Sequence, residues 1–213
     1  AIGTPPADGV GGGGAGATYQ GNPVAGASNS GSGGGGGGMY SNNSVIAGGA
    51  GRTIALLAVS GDLTVGTLNA GSNGALTLSA TSGSLLTSSA SLTASSLELT
   101  SGNSNGSSGA AFDATGMNVS EQVTGTGNIY LASNAGLATG ALTTADGDIT
   151  VTTVGDLDAL GVVSAGQSGN VSLTSTMGNV TLTQVFVNNG LDTSRSGLSV
   201  QGQQIMVGAV TTS

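Results

Sequence analysis

Seven glycines, Gly61, Gly83, Gly106, Gly127, Gly147, Gly169 and Gly190, follow one another at separations of 22, 23, 21, 20, 22 and 21 residues. A period held over that length marks a repeated unit stacked along an axis, because each unit buries its apolar face only against its neighbours. Two residues after five of these glycines comes an aliphatic: Leu63, Leu85, Ile129, Ile149 and Val171, with Ser108 and Asp192 breaking the column. A second column holds Leu76, Leu97, Val119, Leu142, Val162, Val185 and Ile205, and a weaker third runs through Leu92, Leu137, Leu157, Val180 and Val200.

Within a unit the local pattern is that of a strand. In Gly147-Asp148-Ile149-Thr150-Val151-Thr152 the aliphatics alternate with threonines, a period of two, whereas a helix would space them three and four apart. The reading is an all-β, single-stranded β-solenoid, a parallel β-helix of 7–8 coils of 20–23 residues with three strands per coil. At about 4.8 Å per stacked strand its rod is roughly 35 Å long. The three columns form inward ladders, Ser, Thr and Asn face outward, and glycine makes the corners. An antiparallel sandwich also uses many short strands, but gives no reason for columns to keep one period over seven repeats.

Residues 1–50 differ. They hold 18 of the 42 glycines and all three prolines, a composition that buries too little apolar surface to offset its chain entropy. The chain therefore divides into a Gly/Ser-rich arm, residues 1–50, flexible or ordered on a neighbouring subunit, and a solenoid domain, residues 51–213. Ile2, Val10, Tyr19 and Tyr40 are the arm's candidate anchors.

Ten acids against Arg52 and Arg195 give a formal charge of −8, with no Lys, His or Cys. Phosphate binding draws on clustered Lys and Arg, so nucleic acid and anionic membrane are excluded as partners. No apolar run approaches the eighteen residues of a membrane span. Missing His and Lys remove most general acid–base chemistry, and missing Cys removes thiolate chemistry. The expectation is no catalytic residue, no metal and no cofactor. The acids Asp146, Asp148, Asp156 and Asp158 read as turn or solvated residues, since a Gly-Gly-x-Gly-x-Asp calcium repeat is absent. Thr-x-Thr pairs such as Thr150 with Thr152 raise ice binding, but the column Thr64, Leu86, Tyr130, Thr150, Ser172 holds no threonine ladder.

The segments "GDLTVGTLNAGSNGALTLSATSGSLL", "GNIYLASNAG" and "GDITVTTVGDLDALGVVSAGQSGNVSLTSTMGNVTLTQ" resemble repeats of filamentous-haemagglutinin-type bacterial exoproteins over roughly residues 51–200. The resemblance rests on Gly-Asp/Asn-aliphatic-Thr/Ser-aliphatic units. It implies a right-handed parallel β-helix, export from a bacterial cell and a role in adhesion or surface fibres.

The last stretch, "QQIMVGAVTTS", carries Ile205, Met206, Val207 and Val210 and no charge, and reads as one more coil rather than a polar cap. An open stack of strands invites a further strand at each end, and Lys and Pro, which usually blunt such edges, are missing from the rod. Ile2, Val10, Tyr19, Tyr40, Ile205, Met206, Val207 and Val210 are therefore the expected subunit interface. The main partner is another copy of the chain in a head-to-tail homopolymer, with cell-surface or matrix polysaccharide as a second. The start at Ala1 fits removal of a signal peptide. Two arginines leave trypsin-like proteases little to cut, which suits a secreted, extracellular or cell-surface setting. The functional expectation is a structural subunit of a surface or biofilm-matrix filament, not an enzyme. The alternative is an adhesin fragment holding carbohydrate or a receptor on an exposed face, for which Tyr130 and Phe186 are the aromatic candidates.

Overall fold

The computed structural model describes residues 46–47, 53–87, 91–166, 168–187 and 198–212. They form a β-solenoid in which all named strand pairs are parallel. A short strand, β1 (Ile46–Ala47), precedes the first described coil, which runs through β2 (Thr53–Ala58), β3 (Leu63–Val65) and β4 (Leu68–Asn69). The second coil repeats it with β5 (Ala75–Ala80), β6 (Leu85–Thr87) and β7 (Leu92–Thr93). The third carries β8 (Ser96–Ser101) and β9 (Phe112–Asp113), and the fourth β10 (Asn118–Val123) and β11 (Ile129–Ser133). Then follow β12 (Leu137–Thr144) with β13 (Ile149–Thr153), β14 (Leu157–Ser164) with β15 (Val171–Ser175), and β16 (Val180–Val187) with β17 (Leu198–Gln201). β18 (Ile205–Thr212) opens the next coil.

One face is an eight-stranded sheet in the order β2, β5, β8, β10, β12, β14, β16, β18. A second face begins with β3 and β6, passes through single bridges of Asn105 to Leu85 and Ile129, and continues in β9, β11, β13, β15 and β17. The third face, β1, β4 and β7, ends after the second coil. Three strands per coil thus give way to two. In the first coil Gly66-Thr67 separates β3 from β4, whereas Ile149–Thr153 is a single strand of five alternating residues.

The core is a set of ladders. Leu63, Leu85, Asn105, Ile129, Ile149, Val171 and Leu198 stack in register. Facing them, one ladder runs Ile54, Leu76, Leu97, Val119, Thr139, Ala159, Leu182, Val207, and a parallel one Leu56, Leu78, Leu99, Glu121, Leu142, Val163, Val185, Val210. The expected second column is a composite of these. Leu76, Leu97 and Val119 belong to the first, Leu142 and Val185 to the second, and Ile205 continues Leu137, Leu157 and Val180. Val162 stands half-exposed, and Val163 takes the core position. A bulge is the cause: Thr139 to Leu142 spans one residue more than Val119 to Glu121, and Ala159 to Val163 adds another. From the weaker third column, Leu92 pairs with Leu68 and Val200 with Leu173 instead.

Glycines at one corner are required by contact. A Cβ on Gly147 would fall inside the carbonyl oxygen of Gly127, one on Gly169 inside that of Gly147, and one on Gly83 inside that of Gly61. At these three corners a residue without a side chain lets one turn stack on the next at strand spacing. Gly106 is not in this stack. Asn103 holds the corresponding corner under Gly127, and Gly106, at φ 71°, starts a small excursion closed by mutual hydrogen bonds of 3.1 Å between Ser107 and Ala110. That shift puts Asn105, not Ser108, on the core ladder.

The arm residues Ile2, Val10, Tyr19 and Tyr40 lie outside the described residues. Ile46–Ala47, from the end of the expected arm, pairs with Leu68–Asn69, so coil pairing begins before residue 51.

Candidate functional site

Three of the four acids weighed as chemical candidates, Asp146, Asp148 and Asp156, accept from backbone N–H groups. Along the glycine corner, the residue preceding each inward aliphatic offers a side-chain oxygen to the next coil. The Ser84 N–H donates to Asp62 Oδ1 at 2.8 Å, Ser104 N–H to Ser84 Oγ at 3.3 Å, and Asn128 N–H to Ser104 Oγ at 3.0 Å. Asp148 N–H then donates to Asn128 Oδ1 at 2.7 Å, and Asn170 N–H to Asp148 Oδ1 at 2.7 Å. This explains why Asp, Asn and Ser follow the corner glycines: each short oxygen-bearing side chain satisfies a donor that the corner leaves outside the sheet.

Asp156 does the same at the other end of the strand pair, accepting from Asn179 N–H at 2.7 Å, and Asp146 accepts from the Ser168 N–H and hydroxyl at 2.7 and 2.6 Å. Asp158 is half-exposed on β14. No group of three or more His, Cys, Asp or Glu capable of holding a metal occurs among the described residues. Nor, among those residues, is any helix long and apolar enough to cross a membrane.

Tyr130 and Phe186 sit on different faces. Tyr130 lies on β11, its hydroxyl accepting from Asn128 Nδ2 at 3.2 Å, and Phe186 lies on β16 opposite Ser164. They form no aromatic row of the kind a sugar would stack on. Of the Asn-x-Ser/Thr triplets, which are glycan acceptors in a secretory pathway, the one at Asn105 is fully buried, whereas Asn118, Asn170 and Asn179 are exposed.

The feature with the most unspent binding capacity is the last rung. Ile205, Val207 and Val210 are each 45% exposed, although each continues a ladder whose preceding members, Val180, Leu182 and Val185, are at most 1% exposed. Met206, on the outer side of the same strand, is 64% exposed. β18 pairs with β16 along one edge and forms the end of the sheet. The structure thus brings together four of the expected interface residues on a single strand. Missed in the sequence were Glu121, Thr139 and Asn105, three polar residues buried inside the ladders. For Glu121 a signal existed: in Asn118-Val119-Ser120-Glu121-Gln122-Val123 the strand alternation places it on the same side as Val119 and Val123.

No family model, no curated protein and no solved structure matches this chain.

Proposed function

We propose that this chain is a secreted structural subunit, without catalytic activity, that stacks head to tail into an extracellular filament of a cell surface or biofilm matrix. The observation that supports this is the open last rung. Three apolar side chains, each continuing a closed ladder, face solvent on a strand whose outer edge pairs with no other strand among the described residues. Soluble proteins blunt such an edge with charge, proline or a covering element, and Gln203 to Ser213 has no charge and no proline.

A second copy meets both needs, since it supplies a strand for the edge and apolar cover for Ile205, Val207 and Val210. The two ends of the sheet differ: Ile54, in the first rung, is 6% exposed, against 45% for Val207 in the last. A contact between unlike ends does not close on itself and grows into a filament. In this reading the Gly-rich arm of the next copy, anchored by Ile2, Val10, Tyr19 and Tyr40, lies across the joint as an added strand. The likeness to filamentous-haemagglutinin-type repeats favours the same assignment.

Sedimentation of the full chain over a wide concentration range tests it. The reading expects growing assemblies for the wild-type chain and loss of assembly in Val207→Lys, with the strand signal of the rod retained. Monomers alone at every concentration would overturn it.

A further inference from the structure

The three ladders described above are aliphatic except in three successive coils. Asn105 in the third, Glu121 in the fourth and Thr139 in the fifth point inward at 0%, 2% and 1% exposure. Among the described residues, the Asn105 amide, both Glu121 carboxyl oxygens and the Thr139 hydroxyl have no hydrogen-bond partner. The other buried polar side chains are bonded at corners: Ser101 to Asn103, Ser133 to Gly136, Thr144 to Gly147, and Thr153 and Ser175 to Gly155. Asn105, Glu121 and Thr139 therefore stand out from buried polar groups that are otherwise satisfied, and of the three only Glu121 can ionise.

Among the described residues, nothing around it balances a negative charge. Leu99 lies in register on one side and Leu142 on the other. Of the strands packed against β10, β8 carries Glu98, which is exposed and sits opposite Ser120 on the outer face, and β12 carries no titratable residue. On the second face, Asp113 of β9 is exposed and accepts from the Thr115 hydroxyl, and Tyr130 of β11 is half-buried with its hydroxyl engaged by Asn128. The chain has no Lys or His. An anion at this position is strongly disfavoured, and burial pushes the Glu121 carboxyl well above its usual range. The place is also where the ladder is already irregular, because the bulge of β12 begins against β10 beside this residue.

We propose that Glu121 is a proton-operated latch: with its carboxyl neutral the third to fifth coils stay packed, and on loss of that proton they part to let water reach the anion. The sign follows from linkage. In the fold the group holds its proton to higher pH than in the unfolded chain. Its contribution is thus complete below the ordinary value of 4.5, shrinks as pH rises above that, and is gone once pH passes the raised value. The rod is locked in acid and loosened in alkali.

The test compares the full-length wild type with Glu121→Gln, Glu121→Leu and Glu98→Gln by thermal unfolding and amide hydrogen exchange at pH 5 and pH 9. The wild type and Glu98→Gln should lose about 5 °C or more of melting temperature between the two conditions, and both Glu121 variants should lose most of that difference. At pH 9, amides in residues 96–144 of the wild type should exchange at least about tenfold faster than in Glu121→Gln, which corresponds to the opening of a local unit. Glu121→Leu restores an aliphatic to the ladder, so its folding is not at risk. An unchanged pH dependence in both Glu121 variants, or equal exchange at pH 9, would overturn the proposal. So would stabilisation of the wild type by added calcium at pH 9 that disappears in Glu121→Gln, since the partner would then be a metal ion.

Discussion

The backbone N–H of Asn170 donates to Oδ1 of Asp148 one coil earlier, at 2.7 Å, and the Asn170 side-chain amide reaches the same oxygen at 3.0 Å. The pair shows how this rod uses its few acids: a carboxylate placed beside a corner glycine holds the next corner in register. Asp148→Ala removes the acceptor and should cost about 1 kcal/mol or somewhat more, measured by chemical denaturation. Asp148→Asn should retain most of the stability, because Asn128 performs the same task for Asp148 through an amide oxygen. Equal losses in the two variants would mean that charge, rather than acceptor geometry, matters.

The corner glycines are expected to be intolerant for a steric reason. Gly147→Ala drives a Cβ into the carbonyl group of Gly127, which is backbone and cannot swing aside as a side chain would. A loss of roughly 3 kcal/mol or failure to fold is the predicted result. Gly109, in the excursion of the third coil, has open space at its Cβ position, so Gly109→Ala should stay within about 0.5 kcal/mol of wild type. Thermal melts of the two variants side by side decide the matter.

Asn105 separates Leu85 from Ile129 in the ladder and leaves its amide unbonded. Asn105→Leu should therefore raise stability, by about 1 kcal/mol or more, because it removes an unsatisfied polar group and supplies apolar contact. Ile149→Ala, on the same ladder and fully buried, should lower it by about 2–5 kcal/mol. If Asn105→Leu destabilises the rod, the amide has a partner that matters to folding.

The period of the coil was legible in the sequence because corner glycines are forced by backbone contact and therefore recur. The ladder Leu63, Leu85, Ile129, Ile149, Val171 was legible for the same reason, since the strand starts two residues after the corner. The other sheet was less so. Once β12 inserts a residue between Thr139 and Leu142, counting along the chain no longer tracks the ladders, and Val162 stands where the count points while Val163 fills the core. Glu121 was obscured by its type, because a carboxylate between Ser120 and Gln122 reads as surface unless the alternation of β10 is followed strictly. Asn105 was displaced from the expected column by Gly106, a glycine that opens an excursion instead of turning the corner. The open rung was visible at the level of composition, as an uncharged apolar stretch. That Ile205, Val207 and Val210 continue three separate ladders emerged only from the register of β18 on β16.

Placing charge on the open rung should separate assembly from folding. Val210→Lys changes a side chain already 45% exposed, so its melting temperature should stay within a few degrees of wild type. Burying that ammonium in a joint would be costly, so light scattering should show assembly lost or shifted to much higher concentration.

The most direct measurement is electron cryo-microscopy of the full-length chain at high concentration. The account predicts filaments in which strands repeat at about 4.8 Å along the axis and β18 of one copy is covered by the next. A homogeneous field of single rods with β18 bare, or assemblies joined through the outer faces of the sheets, would contradict it.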